Sequence, residues 1–165
     1  MKVRALKAGD LGDLAIMAAE FKSFLGRIEG KRPRIDKAKL RAELKAGGFG
    51  KRRFFHGLIA GDAGGPQGYA LYHLGFNSNF NCGVLFISDL FVRENARGKG
   101  IGHALMKKAA AIAKAKGCGR MEWTVWNINA PAVGFYVGLG AKATDDEIIM
   151  GVTLGKALYA KLGLA

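Results

Sequence analysis

A turn carrying three glycines joins a strongly apolar segment to an amphipathic one, and this junction limits the folds open to the chain more than any other feature. Val84-Leu85-Phe86-Ile87-Ser88-Asp89-Leu90-Phe91-Val92 is rich in β-branched and aromatic residues, as in a strand buried along most of its length. Ile101, Leu105, Ala109, Ile112 and Ala113 then recur at helical spacing as far as Gly117, which suits a left-handed C-terminal cap. Arg97-Gly98-Lys99-Gly100-Ile101-Gly102-His103 lies between the two, so strand, glycine turn and helix follow in order. The first N–H groups of a helix have no internal partner and the macrodipole adds partial positive charge. Such a turn can hold a pyrophosphate, with Arg97 and Lys99 supplying full charges beside it. The bland alternative is that the glycines only make a tight connection.

Two familiar anion loops fail on spacing. A dinucleotide fingerprint needs glycine three places after Gly100, where His103 stands, and a P-loop needs Gly-Lys-Ser/Thr, which is absent. The next segment carries more information. Met121-Glu122-Trp123-Thr124-Val125 reads as a second strand, and Asn127 to Tyr136 follows it, with Asn129 suited to an N-cap and Pro131 allowed in a first helical turn.

At this point the chain resembles the GNAT superfamily of acyl-CoA-dependent N-acyltransferases. The resemblance rests on Arg97-Gly98-Lys99-Gly100-Ile101-Gly102 after one strand, then Asn129-Ala130-Pro131-Ala132, Phe135-Tyr136 and Gly138-Leu139-Gly140-Ala141 after the next, all in order. Gly48-Phe49-Gly50 before Phe54-Phe55-His56, together with Asp89-Leu90-Phe91-Val92, looks like the polyamine and thialysine acetyltransferase branch. Nearly the whole chain aligns with that branch, most closely from about Leu85 to Ala143.

The resemblance implies an α/β (α+β) fold: a mixed, mostly antiparallel sheet with a splayed parallel strand pair and helices on both faces. It also implies acetyl-CoA as cosubstrate and direct acetyl transfer to a primary amine of a small molecule, with no acyl-enzyme and no metal. A protein or peptide acceptor shares the same cofactor residues, and a non-catalytic coenzyme-binding or nucleic-acid-binding module is the third reading. Backbone groups of Leu90, Phe91 and Val92 would meet the pantetheine arm, residues Gly98 to His103 would cradle the pyrophosphate, and Asn129 would offer its amide near the pantetheine. His103 caps or lines that phosphate site.

Tyr136 is the candidate general acid for the departing thiolate, because a phenol with a reference pKa of ~10 stays protonated at neutral pH. Its alternative is a core aromatic beside Phe135. Asp89 could bind the substrate ammonium, accept a proton through water, or cap a neighbouring loop; by strand alternation it points away from Ser88. Ser88 stands where the polyamine branch carries Glu, which weakens the case for a polyamine. Glu122 and Asp145-Asp146-Glu147 are further sources of local negative potential, although a charge run is usually a solvated turn. His56 and His73 have no partner motif.

The 165 residues suit one domain spanning 1–165. The 26 basic residues against 13 acidic ones leave a net charge of +13. That field would attract the phosphates of coenzyme A and repel a free polycation. The basic residues are scattered, as in Lys31-Arg32-Pro33-Arg34 and Lys51-Arg52-Arg53, and match no nucleic-acid module, so solvated faces are favoured over nucleic acid as their explanation. No apolar run reaches the ~18–20 residues of a membrane span and no signal-peptide core follows Met1, so a cytoplasmic protein without a membrane partner is expected. Cys82 and Cys118 show no ligand spacing and read as small buried thiols. The resemblance implies a homodimer.

Along the chain, the pattern predicts a strand over Val3 to Leu6 and a helix capped by Asp10 whose Leu14, Met17, Ala18, Phe21 and Leu25 share one face. It then predicts a helix from Asp36 to Lys45 and strands over Phe54 to Gly61 and Gln67 to Phe76 joined by a turn. A further turn is expected at Asn77 to Asn81, and a closing strand over Ile148 to Leu154.

Overall fold

Alternating apolar residues from residue 56 to residue 92 build the centre of the molecule. In the computed structural model, which describes residues 1–143, 150, 152 and 154–162, they form β2 (His56–Asp62), β3 (Gly65–Asn77) and β4 (Cys82–Val92). Strand β1 (Lys2–Ala5) and strand β5 (Cys118–Trp123) complete a sheet of order β1-β2-β3-β4-β5. The first three pairings are antiparallel, while β4 and β5 run parallel. The β2–β3 hairpin closes where Asp62 pairs with Gly65, and the Asp62 carboxylate accepts from the Gly64 N–H at 3.0 Å.

Helices α1 (Leu11–Ile28) and α2 (Lys37–Phe49) cover one face. Leu14, Met17 and Ala18 of α1 and Leu40 of α2 form one buried cluster with Ile59, Tyr69, Leu71 and Phe91 of the sheet. Helix α3 (Ile101–Ala115) packs across all five strands, burying Ile101, Leu105, Met106, Ala109 and Ala113, and Gly117 beyond it has φ +70° as the C-terminal reading requires. A Cβ on Gly68 would lie 3.3 Å from Ile101, so α3 lies on the side of the sheet to which Gly68, not Tyr69, is turned.

Several local expectations shift. Asp10 starts α1 without a side-chain cap bond. Its carboxylate instead takes both Arg4 guanidinium nitrogens at 2.7 Å and the Lys7 N–H at 2.8 Å, tying β1 to the short 3-10 turn Ala8–Asp10. Arg4 accordingly holds the Asp10 carboxyl below its ordinary pKa, against the effect of burial. Asp36 does cap α2, accepting from the Lys39 N–H at 2.9 Å. That helix runs on to Phe49 rather than stopping at Lys45, because the Phe55 ring packs where a Cβ on Gly48 would stand. Phe54 and Phe55 are thereby kept out of β2, and Phe54 N–H bonds to the Gly47 carbonyl at 2.7 Å. Strand β5 starts at Cys118, three residues early, and stops at Trp123. Of the expected strand at Ile148 to Leu154, residues 148, 149, 151 and 153 lie outside the described residues, and Met150, Val152 and Leu154 belong to no strand.

The chain divides into two compact units, Met1–Asn129 and Ala130–Ala165. The first contains the sheet, α1, α2 and α3; the second contains α4 (Ala130–Gly138) and α5 (Lys156–Lys161). In α4, Phe135 and Tyr136 meet edge to face at 5.2 Å, and Gly140, with φ +85°, follows the helix end.

Candidate active site

The parallel pairing of β4 with β5 ends at Ile87–Trp123, while β4 continues five residues further to Val92, paired there only with β3. On that β5 side, Leu90, Phe91 and Val92 pair with no strand among the described residues, as a splayed strand pair requires. A second irregularity lies at the same level. Leu71 pairs with Asp89 but Tyr72 pairs with Ile87, so Ser88 is a bulge residue. Ser88 approaches His73 at 3.4 Å and Asp89 approaches Tyr69 at 3.4 Å, and Tyr69, Leu71 and His73 all lie on one face of β3. Ser88 and Asp89 therefore share a face, correcting the simple alternation read from sequence.

Asp89 is half-buried, and burial raises its pKa, opposed by the Tyr69 hydrogen bond and by the Lys22 ammonium. Tyr69 is fully buried, and its own pKa is pushed well up by burial and then by the Asp89 charge. Both residues line a cavity of about 300 Å³ with Phe21, Lys22, Leu40 and Glu43. Among the described residues the donor to the Asp89 carboxylate is the Tyr69 hydroxyl and not a loop N–H. Of the other acidic candidates, Glu122 accepts from Arg120 at 3.0 Å and Asn77 at 3.0 Å, while Asp145, Asp146 and Glu147 lie outside the described residues.

Beyond β4 a 3-10 turn, Glu94–Ala96, leads into the glycine turn. Gly98 has φ +73° and Gly100 φ +78°, and a Cβ at either would meet nothing within 4 Å. Glycine at these two positions answers a backbone need, and the space above the turn is open. Ile101, Gly102 and His103 form the first turn of α3, so their N–H groups are the helix's unpaired donors. Lys99 and His103 are exposed beside them. Arg97 donates to the Val92 carbonyl at 3.1 Å and stacks on the Phe24 ring at 4.5 Å. Arg93 bonds Glu20 at 3.0 and 3.1 Å, and Arg27 pairs with Glu94, so two ion pairs fasten α1 to this loop. The turn fits a diphosphate in shape and in charge.

Tyr136 belongs to the second unit, where burial pushes its phenol up to about 12. Asn129 precedes α4 and donates its N–H to the Trp126 carbonyl at 2.9 Å. Cys82 and Cys118 are free and half-buried, less enclosed than expected. A Cβ on Gly119 would touch Cys82 whereas one on Gly83 would touch Cys118, so the two thiols face opposite sides of the sheet.

Among the described residues no helix is long and apolar enough to cross a membrane. The Acetyltransferase (GNAT) family model matches residues 23–141. The chain belongs to that family, and it is an acetyl-CoA-dependent acetyltransferase. It is 34% identical over 149 residues to thialysine N-ε-acetyltransferase of Sus scrofa, covering 85% of this chain and 83% of that protein. It is 36% identical over 95 residues to L-ornithine N5-acetyltransferase of Arabidopsis thaliana, covering 56% and 40%. A solved integron cassette protein from the mobile metagenome of V. cholerae superposes with TM-score 0.81 at 27% identity, covering 99% of this chain and 98% of the other.

Proposed function

We propose that this protein transfers the acetyl group of acetyl-CoA directly to a primary amine of a small molecule, such as a diamine, a lysine analogue or another amino-acid-like amine. The observation that carries the reading is the open, positive-φ glycine turn at the start of α3, beside the end of the β4–β5 pairing. The cosubstrate supplies an activated thioester. In this reading Arg97 to His103 hold its diphosphate, the free edge of Leu90 to Val92 aligns the pantetheine, and Asn129 adds an amide contact. The names of the thialysine and ornithine relatives support a small amine over a protein acceptor.

In the chemical step the acceptor nitrogen forms a bond to the acetyl carbon as the carbon–sulfur bond breaks. The ammonium first loses a proton, and Asp89, which lines the cavity, receives it directly or through water. Tyr136 gives its proton to the leaving thiolate. Both units act as one transferase domain, and the enzyme works as a cytoplasmic homodimer. Gly100→Val tests the cradle: a β-branched residue at φ +78° distorts the turn, so acetyl-CoA affinity should fall about tenfold or more in calorimetry. Unchanged affinity would remove the assignment. A thiol-release screen across diamines, amino acids, aminoglycosides and peptides tests the acceptor class.

A further inference from the structure

The Asp89 cavity opens outward. Lys22, Leu25, Leu40 and Glu43 line both it and a larger cleft of about 680 Å³ bounded by α1, α2 and the loop of residues 29–36 between them. The charges along that cleft are not balanced. Glu29 pairs with Lys31 at 3.3 Å, Glu43 with Lys39 at 4.0 Å, and Asp36 is engaged as the α2 cap. Arg32 and Arg34 also line the cleft, and among the described residues neither has a carboxylate within ion-pair distance. Moving outward from Asp89, the lining passes from a carboxylate through Lys22 to two unpaired guanidinium groups.

A diamine fits the inner end and meets repulsion at the outer one. An acceptor with an amine at one end and a carboxylate at the other is complementary throughout, because a guanidinium fork matches a carboxylate with two parallel hydrogen bonds. We propose that the cleft between α1 and α2 is a carboxylate-reading subsite, in which Arg32 and Arg34 select amine acceptors that carry an anionic group at their far end. This rests on the small-amine reading above. The carboxylate can come from a free amino acid or from an acidic side chain near lysine in a peptide.

The test compares thiol release from acetyl-CoA with L-ornithine, L-ornithinamide, putrescine and a lysine peptide flanked by glutamates, in the wild type and in the Arg32→Gln/Arg34→Gln double variant. The expected wild-type kcat/KM for ornithine or the acidic peptide exceeds that for the amide and putrescine by about tenfold, and the double variant loses this preference through KM with kcat held. Preference for ornithine alone identifies a free amino acid, and preference for the peptide identifies an acidic segment. Equal use of the amide and ornithine by the wild type, or an equal loss on all acceptors in the double variant, overturns the proposal. Turnover of putrescine but not of ornithine or the peptide leaves the small-amine reading standing and removes only the subsite. Acetyl-CoA binding without release for any acceptor removes both.

Discussion

Tyr136 and Asp89 are pushed in the same direction by the same cause, with different consequences. Burial takes the phenol to about 12, so it remains protonated across the range in which an amine acceptor loses its proton. The kcat/KM profile should then rise with pH as free amine accumulates and show no falling limb from Tyr136 up to about pH 10. Tyr136→Phe should lower kcat about a hundredfold while leaving the affinity for acetyl-CoA unchanged, a split that steady-state kinetics and calorimetry read separately. For Asp89 the raised pKa means that the folded state binds a proton more tightly than the unfolded chain. Stability is therefore lost as pH rises from the ordinary carboxylate range through the raised value. Asp89→Asn should raise Tm at neutral pH by about 2–4 °C, the shift for roughly 1 kcal/mol at this chain length, and the gain should vanish in acid. The same variant should acetylate amines more slowly, which separates its part in the chemistry from its cost to the fold.

Elements whose signals are local are legible in the sequence, and those set by distant partners are not. The strand, glycine turn and helix from residue 82 to residue 117 can be read because β-branched residues, positive-φ glycines and helical spacing all act within a few residues. Asp10 misleads because Asp before an apolar helical face is the usual N-cap signature, whereas its actual partner, Arg4, lies on a strand. The helix expected to stop at Lys45 continues to Phe49 because Phe55, beyond its end, occupies the space beside Gly48. The bulge at Ser88 has no residue signature, since it arises from the register of β4 against β3. That register also decides that Ser88 and Asp89 face the same side, and the cavity beneath α1 and α2 is illegible for the same reason. The Arg4–Asp10 link makes a prediction for β1 and the turn after it. Asp10→Ala should cost about 1–2 kcal/mol at neutral pH through the lost bonds to Arg4 and the Lys7 N–H. Because the folded Asp10 pKa is lowered, the contribution is present above the ordinary carboxylate pKa and is lost as pH falls below it. Urea titrations of both proteins should therefore converge in acid.

For the whole molecule, a net charge of +13 acts on both substrates at once, with opposite sign. The cosubstrate is an anion attracted by the general field and, in the proposed reading, by Arg97 and Lys99, so its capture should weaken as salt shortens the Debye length from about 30 Å at 0.01 M to about 8 Å at 0.15 M. A diamine is repelled by the same field until it reaches Asp89, so salt should help it arrive. Ornithine, with two ammonium groups and one carboxylate, carries half the net charge of putrescine and should respond less. Raising ionic strength over that range should increase the KM for acetyl-CoA by about three- to tenfold, raise kcat/KM for putrescine at saturating acetyl-CoA, and leave kcat/KM for ornithine within about twofold. Parallel salt curves for putrescine and ornithine would mean that the charge is spread over faces too far from the entrance to act on acceptors. Opposed curves for acetyl-CoA and putrescine would identify the basic surface as a device that concentrates the anionic donor while discouraging polycationic competitors, leaving Asp89 to admit a single ammonium group.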